Sequence, residues 1–381
     1  MHVPLSIYLD HHASTPPFDE VVKAMHPYWS NLHGNPHSSE HARGWHAHKV
    51  VEGARGEIAR LFGGLPDEVV FTSGATEANN LAILGFASEE IEQVVVSQIE
   101  HACVLRAATE FAKMHSVPVV LIGVDVKGYL NVEHLEQTLK SKRSLVSVGY
   151  VNNEIGVIQD IQKIGRICKA YDAFLHADVA QAPFACDLSV LSETVDAASI
   201  SGHKMGGPMG VGALFLSAVA QESLKPRVFG GGQEKGFRSG TVPVPLVVGL
   251  AQAAKMVRSE EFRENRLTMK HSRKLFLDVL SSQGIDFEIN GPTFDWRHPG
   301  NLNLQLAGCD AQDVLLRVQP KVSASTGSAC SSGKLGTSHV LEAIGLTNEC
   351  AESSIRLGFG PNTTQSEAIE AAEILAVAVK E

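Results

Sequence analysis

Residues 71–80 read Phe71-Thr-Ser-Gly-Ala-Thr-Glu-Ala-Asn-Asn80, directly after a short β-branched run and at the start of a helical pattern. Gly74 permits a tight turn between the predicted strand and the predicted helix. Thr76 and the free N–H groups at the start of that helix can hold an anion. Threonine and serine also cap helices that bind nothing, so this stretch alone leaves both interpretations open.

The first two-thirds of the chain alternate short apolar runs with helical patterns. The runs that we predict to be strands are Val69-Val70-Phe71, Val94-Val95-Val96, Val119-Val120-Leu121, Leu145 to Val148, Phe174-Leu175 and Ala198-Ser199-Ile200. Continuous apolar runs of this length are typical of strands buried on both faces, and helical connections between them indicate parallel crossovers. We therefore predict an α/β fold with helices on both faces of a mostly parallel sheet.

From about Glu260 the pattern changes to that of a smaller α+β domain. A charged helical stretch follows, Asn301-Leu-Asn-Leu-Gln305 alternates as a half-exposed strand would, and Ser366 to Lys380 reads as a final helix. We expect a large domain over residues 15–260 and a small domain formed by residues 1–14 and 261–381. Residues 322–338 are almost all small or polar, which favours a mobile loop.

Composition excludes several classes of function. The chain has 381 residues, 44% of them hydrophobic, and a formal net charge of -10, which argues against direct binding of nucleic acid. No apolar run is long enough to span a membrane, and residues 1–10 lack the layout of a signal peptide. The six cysteines are scattered without a CxxC pair, which is typical of reduced thiols and predicts a cytoplasmic protein.

A second stretch, Ser199-Ile-Ser-Gly-His-Lys-Met-Gly-Gly-Pro208, places a lysine beside a histidine and a glycine-rich turn after a predicted strand. A lysine amine near other cationic groups has a lowered pKa and becomes nucleophilic, so Lys204 is a candidate for a Schiff-base lysine. A lysine in a surface loop is the alternative.

A third stretch, His176-Ala-Asp-Val-Ala-Gln181, lies where a strand of an α/β sheet ends, which is where such sheets place their sites. A carboxylate such as Asp178 can keep a pyridinium nitrogen protonated. Capping of the next helix is the alternative role for this side chain.

Together and in this order, the three stretches resemble the fold-type I enzymes of the class V aminotransferase group that depend on pyridoxal 5'-phosphate (PLP). More closely, the chain resembles the cysteine desulfurases of the NifS/IscS group along nearly its whole length. Further stretches that carry the resemblance are 8–16, 34–38, 100–101, 151–157, 230–241, 325–332 and 354–357.

The resemblance implies a role for each matching residue. Lys204 carries the cofactor and moves the Cα proton, and His101 stacks on the ring as acid/base. Arg356 pairs with the substrate carboxylate, and Thr241 reaches the phosphate of the neighbouring subunit, which implies a homodimer. The other residues that the resemblance assigns to the cofactor are Ala75, Thr76, Asn153 (also to the substrate), Asp178, Gln181, Ser201 and His203.

The resemblance also implies that Cys330 attacks the sulfur of L-cysteine, which leaves a persulfide on the enzyme and releases alanine. A cysteine in a small, polar segment suits this task, because its thiolate must travel to the cofactor and away again. We interpret the other five cysteines as structural. They are Cys103, Cys168, Cys186, Cys309 and Cys350.

Two features depart from simple expectations. His33, His37 and His41 are spaced four apart, but Gly34 and Pro36 break any helix there, so we predict no metal site. His11 and His12 stand where relatives commonly carry Asn, Gln or Ala, which puts a substrate contact there in doubt.

The sulfur acceptor and the exact reaction stay open at this level. The sequence ends at Glu381, where IscS-type relatives continue with a tail, so we expect either an iron–sulfur scaffold or a thiolation enzyme of tRNA or DNA as the acceptor protein. A selenocysteine lyase or a class V aminotransferase on the same fold is the alternative enzyme. A sulfur-relay or scaffold protein without catalysis is the non-enzymatic alternative, although Lys204, Asp178 and His101 argue against it.

Overall fold

The computed structural model of the chain describes residues 6–86, 91–327 and 337–381. Its helices are α1 Asp19–Trp29, α2 Ala42–Phe62, α3 Ala75–Gly85, α4 Ala102–His115, α5 Val132–Leu139, α6 Ile161–Ala170, α7 Leu191–Thr194, α8 Ala218–Ser223, α9 Val244–Val257, α10 Glu261–Ser282, α11 Ala311–Arg317, α12 His339–Ala343, α13 Asn348–Glu352 and α14 Gln365–Lys380. Its strands are β1 Ile7–Tyr8, β2 Val69–Thr72, β3 Gln93–Ser97, β4 Val119–Ile122, β5 Ser144–Gly149, β6 Phe174–Asp178, β7 Ala197–Ser201, β8 Gly212–Leu216, β9 Phe287–Ile289, β10 Asn301–Leu306, β11 Val322–Ser323 and β12 Ser354–Gly358. None of the helices over the described residues has the length and apolar character needed to cross a membrane.

The main sheet contains seven of the described strands, in the order β2-β8-β7-β6-β5-β3-β4. From β7 to β4 each neighbouring pair is parallel, whereas β8 is antiparallel to both β7 and β2. Six of these strands lie on the predicted apolar runs, and the mostly parallel α/β fold is confirmed. The strand β8 was not predicted, and it inserts between β2 and β7 after the glycine-rich turn.

Alternation of side chains explains why these strands are apolar throughout. Val94 and Val96 of β3 join the core on one face of the sheet, and Val95 joins the core on the other face. Successive side chains of a strand point to opposite faces, so a strand covered by helices on both sides has no polar face.

A second sheet, in the order β12-β10-β9, is antiparallel and packs on α10 and α14. Strand β1 pairs with β11 and so ties the N-terminal segment to this region. The predicted boundary near residue 260 stays a prediction. Helix α10 contributes Phe262 and Met269 to the core of the large region, and Phe276 and Leu280 to the second core.

The expectation that residues 301–305 form a half-exposed strand is wrong. Strand β10 lies in the middle of the second sheet, and Asn301 and Asn303 are fully buried. Their amides are satisfied inside the protein: Asn301 accepts from Arg297 at 2.9 Å, and Asn303 accepts from Asn290 at 2.8 Å. Polar residues can therefore alternate along a buried strand when each one has a hydrogen-bond partner.

Candidate active site

A cavity of about 620 Å³ opens where the parallel strands of the main sheet end. The segments that follow β3, β5, β6 and β7 line it, together with the start of α3, which is the position expected for a site in an α/β sheet. The predicted site residues that line this cavity are Ala75, Thr76, His101, Asn153, Asp178, Gln181, Ser201, His203, Lys204 and Arg356.

The start of α3 forms one wall of the cavity. Gly74 has φ +152°, a backbone conformation that L side chains rarely adopt, and this turn leads β2 directly into the helix. The first backbone N–H of α3 to form a helical hydrogen bond is that of Ala78, which donates to the carbonyl of the N-cap residue Gly74 at 3.1 Å. The N–H groups of Ala75 and Thr76 bond to no other described residue, so they are available to an anion in the cavity.

Ser201 and His203 lie opposite this helix start, at the end of β7. Nδ1 of His203 lies 3.3 Å from the Ser14 hydroxyl. Burial, and then the Lys204 charge, lowers the pKa of His203 to about 4, so the ring is neutral at ordinary pH and donates from a single nitrogen.

Asp178 ends β6 with its carboxylate fixed on both sides. Its Oδ2 accepts from Nδ2 of Asn79 at 2.7 Å, and its Oδ1 accepts from the N–H of Ala180 at 3.0 Å. Both of these hydrogen bonds come from uncharged donors. The carboxylate can face a cationic ring nitrogen in the cavity.

Lys204 lies at the end of a short 3₁₀ helix, Gly202–Lys204, that follows β7. Its Nζ donates to the His12 carbonyl. Gln181 holds the same segment through two contacts: its Nε2 donates to the His12 carbonyl at 2.9 Å, and its Oε1 lies 3.0 Å from Nδ1 of His12. Of the two departing residues, His12 lies at the cavity wall beside the lysine and is 2% exposed.

His101 is the N-cap residue of α4. Its Nδ1 accepts from the N–H of Cys103 at 3.2 Å and lies 2.9 Å from the Cys103 thiol. Burial lowers the pKa of His101, while Asp178 opposes the shift. Cys103, predicted to be a purely structural thiol, lines the cavity.

Arg356 lies in β12, so the second sheet also contributes to the cavity. The side chain is almost fully buried; Nη2 donates to Asp10 Oδ1 at 2.8 Å, and Nη1 donates to the Asn153 carbonyl at 3.4 Å. Its Nε is buried and has no partner among the described residues. A buried guanidinium with an unused donor is suited to a carboxylate ligand.

Two predicted residues are not among the described residues that line the cavity, each for a different reason. Thr241 is exposed and does not line the cavity of its own chain. Cys330 lies outside the described residues. Gly327, three residues before it, is described, and a side chain added at Gly327 would contact both Glu154 and Arg356.

Sequence reasoning missed several residues of the site. Glu100 lines the cavity, is 3% exposed and has an Oε2 with no partner among the described residues. Burial is the main reason that the pKa of Glu100 rises to about 8. Asn79 and Cys103 were also missed. The contacts of Asn79 with Asp178 and Cys103 join segments far apart in the chain, whereas Cys103 lies only two residues from His101 and was interpreted as structural.

Comparison with known proteins gives consistent similarities. The sequence model of the family Aminotransferase class-V matches residues 7–370. A cysteine desulfurase IscS of Rickettsia bellii is 42% identical over 366 residues, which cover 95% of this chain and 88% of that protein. A solved structure of a NifS-like protein has a TM-score of 0.90 and 29% identity, with 99% of this chain and 100% of that chain covered. The structure of SspA in complex with cysteine has a TM-score of 0.81 and 32% identity, with 93% of this chain and 99% of that chain covered.

Proposed function

Because this chain belongs to the class V aminotransferase family and, within it, to the cysteine desulfurases of the IscS/NifS group, we propose that it converts L-cysteine to L-alanine with PLP as its cofactor and transfers the sulfur to Cys330 as a persulfide. The observation that carries this proposal is the convergence of the Lys204 amine, the Asp178 carboxylate and the Arg356 guanidinium on one cavity. The amine can react with a carbonyl, the carboxylate can pair with a protonated ring nitrogen, and the guanidinium can bind the carboxylate of an amino acid.

The residues of the cavity fit PLP on structural grounds. The N–H groups of Ala75 and Thr76, which bond to no other described residue, and the nearby Ser201 and His203 suit a phosphate group. Asp178 is held by hydrogen bonds from two uncharged donors, Asn79 and the Ala180 N–H, which suits a carboxylate that faces a pyridinium nitrogen. The volume of about 620 Å³ lies within the usual range for a small-molecule site.

The family resemblance assigns the remaining contacts to the cofactor, and the positions of these residues support the assignment. His101 would stack on the ring, and Gln181 and Asn153 would contact its phenolic oxygen. Thr241 of the neighbouring subunit completes the phosphate site, and its exposed position outside its own cavity supports that role. The active enzyme is then a homodimer.

When bound, PLP supplies an electron sink for the pair of electrons released at the substrate Cα. Arg356 binds the α-carboxylate of cysteine, and Asn153 lies beside it to help orient the substrate. The Lys204 amine takes the Cα proton, and His101 exchanges a proton with the reacting groups. Asp178 would keep the proton on the ring nitrogen.

The sulfur transfer uses the Cys330 thiolate. It attacks the sulfur of the substrate, so an S–S bond forms while the C–S bond breaks, and the electron pair of the C–S bond stays with the carbon skeleton. Protonation of that skeleton gives alanine. The position of Gly327 against Arg356 supports this role, because the chain enters residues 328–336 at the wall where the substrate carboxylate binds.

The persulfide is then passed to an acceptor protein, which we propose to be an iron–sulfur scaffold or a thiolation enzyme. The formal charge of -10 supports a protein acceptor rather than direct contact with nucleic acid. We also propose that the protein works in the cytoplasm, where scattered thiols stay reduced.

The proposal is tested by incubating the purified, PLP-loaded protein with L-cysteine. Alanine is measured by chromatography, and the persulfide is located by alkylation and mass spectrometry of tryptic peptides. Wild type is compared with Cys330→Ala, with Lys204→Ala and with the matched control Cys350→Ala, whose thiol is outside the cavity. We expect alanine and a persulfide on Cys330 in wild type and in the control, and neither in the two other variants.

Other outcomes separate the alternatives. Alanine without a persulfide on Cys330, or full turnover by Cys330→Ala, would remove Cys330 as the sulfur carrier. Transfer of the amino group to an added keto acid would indicate an aminotransferase. Turnover of selenocysteine but not of cysteine would indicate a selenocysteine lyase.

A further inference from the structure

A line of three hydrogen bonds joins Asp178 to His101 behind the cavity wall. Nδ2 of Asn79 donates to Asp178 Oδ2 at 2.7 Å and to the Cys103 sulfur at 3.2 Å. The Cys103 sulfur in turn lies 2.9 Å from Nδ1 of His101. Asn79 and Cys103 therefore connect two residues that stand in different segments of the site.

The direction of each hydrogen bond follows from its partners. Nδ1 of His101 accepts the backbone N–H of Cys103, so that nitrogen carries no proton. The thiol must then be the donor in its contact with the same nitrogen. Its sulfur is left to accept from Asn79, whose second amide hydrogen goes to the Asp178 carboxylate. The neutral ring consequently carries its proton on Nε2.

Burial supports these directions. Asn79 is fully buried, and its Oδ1 has no partner among the described residues, so the amide is oriented by its two donor contacts alone. Burial and the Asp178 charge raise the pKa of Cys103 to about 12, against hydrogen bonds from Asn79 and Thr76. The thiol thus keeps the S–H that it donates.

We propose that Cys103, oriented by Asn79, is a positioning residue that keeps His101 neutral with its proton on Nε2. Protonation of His101 would place a hydrogen on Nδ1 and break both contacts from Cys103, so the thiol opposes it. This inference rests on the proposed function only in that it takes His101 as the acid/base group. It assigns no sulfur transfer to Cys103.

Other charged or titratable groups also affect the pKa of His101. Asp178 favours its charged form, whereas Lys204 and His339 disfavour it. His339 reaches the same region through its Nε2, which lies 3.0 Å from the Glu100 carbonyl. Because all of these groups are unchanged in a Cys103 variant, a shift in that variant reports the thiol contact.

The test uses PLP-loaded protein and two independent measurements. The first is the pKa of His101, followed by NMR titration of protein labelled at histidine and assigned with a His101→Gln sample. The second is the pH profile of kcat for alanine formation. In Cys103→Ala we expect the His101 pKa and the acid limb of kcat to rise by about 0.4–1 pH unit, the size of one lost hydrogen bond.

Two further variants make the test specific. Cys103→Ser keeps a donor toward Nδ1, so we expect a profile close to that of wild type. Asn79→Ala also removes a hydrogen bond to Asp178, so its shift of the His101 pKa should be smaller in the Cys103→Ala background than in the wild-type background, by the part that acts through the thiol. Cys309→Ala, far from the cavity, is the control and should shift nothing.

The failure of this inference and of the proposed function would look different. An unchanged His101 pKa in Cys103→Ala, or equal shifts in the alanine and serine variants, would overturn the positioning role even if the enzyme makes alanine. The expected titrations in a protein that makes no alanine from cysteine would keep the positioning role and overturn the function.

Discussion

Arg356 and Asp10 form an ion pair at the cavity wall, with 2.8 Å between Nη2 and Oδ1. The guanidinium is almost fully buried and comes from the second sheet, whereas Asp10 belongs to the N-terminal segment. Ser325 also donates to the same carboxylate oxygen at 3.2 Å. The carboxylate of Asp10 therefore balances the charge of Arg356 and fixes its position, while Nε stays available.

Replacing Arg356 by lysine should weaken substrate binding more than it slows the chemistry. Lysine keeps the charge but cannot form the planar, bidentate pair with a carboxylate. We expect KM for L-cysteine to rise by about 10- to 100-fold with a smaller change in kcat, as for the loss of a charged hydrogen bond. Steady-state alanine formation measures both constants.

Asp10→Asn is the companion variant, since it keeps the shape of the side chain but removes its charge. It should raise KM by less than Arg356→Lys does. An Arg356→Lys enzyme with unchanged KM and a strongly reduced kcat would show that Arg356 does not bind the substrate carboxylate.

The sequence could predict those parts of the fold and of the site that depend on residues close to one another in the chain. Val94-Val95-Val96 predicts a buried strand, and a lysine after the strand Ala197–Ser201 marks the cavity, because both depend on neighbours in the chain. The contact of Asp10 with Arg356, or of Asn79 with Cys103, depends on how distant segments pack. The same holds for Asn303, whose polar side chain suggested exposure but has a buried partner.

A buried ion pair should make Glu234 important for stability. Glu234 accepts two hydrogen bonds from Arg55, at 2.7 and 2.8 Å, and a third from the N–H of Phe71 at 2.7 Å. Glu234→Ala would leave the buried Arg55 guanidinium with only the half-exposed Glu52 as its ion-pair partner and the Phe71 N–H without its acceptor, so we expect the free energy of unfolding to fall by about 3 kcal/mol. Chemical denaturation followed by circular dichroism measures this loss.

The nearby exposed pair of Lys235 and Asp67 is the control. Its two side chains are largely in solvent, and Lys235→Ala should change the free energy of unfolding by less than about 1 kcal/mol. Equal losses in the two variants would contradict a special role for the buried pair. Since Thr241 lies in the same segment, Glu234→Ala should also weaken the binding of PLP.

The buried Glu100 should make stability depend on pH. Burial raises its folded-state pKa from 4.5 to about 8, so between these values the unfolded chain releases a proton that the folded protein keeps. The contribution of Glu100 to stability is full below about pH 4.5 and falls as the pH rises through this window. Glu100→Gln keeps the contact with the Gly149 N–H but cannot ionise.

The free energy of unfolding of Glu100→Gln, relative to wild type, should therefore increase by about 2–4 kcal/mol between about pH 5 and about pH 9. Denaturation curves of both proteins at several pH values measure this difference. A constant difference across that range would mean that Glu100 titrates in the folded protein as it does in the unfolded chain.

Gly74→Ala should separate strain at the anion site from general loss of stability. An alanine Cβ there would meet only the Ser201 hydroxyl at 3.5 Å, so space is available, but φ +152° is strained for any L residue. The turn would relax and move the N–H groups of Ala75 and Thr76, so we expect both lower stability, by about 1–3 kcal/mol, and weaker PLP binding.

Gly284→Ala is the matched control, because Gly284 has φ +71° with open space around it and does not line the cavity. We expect the control to lose stability while its PLP dissociation constant, measured by fluorescence titration, stays that of wild type. Equal PLP affinity in both variants would show that the start of α3 does not hold the phosphate.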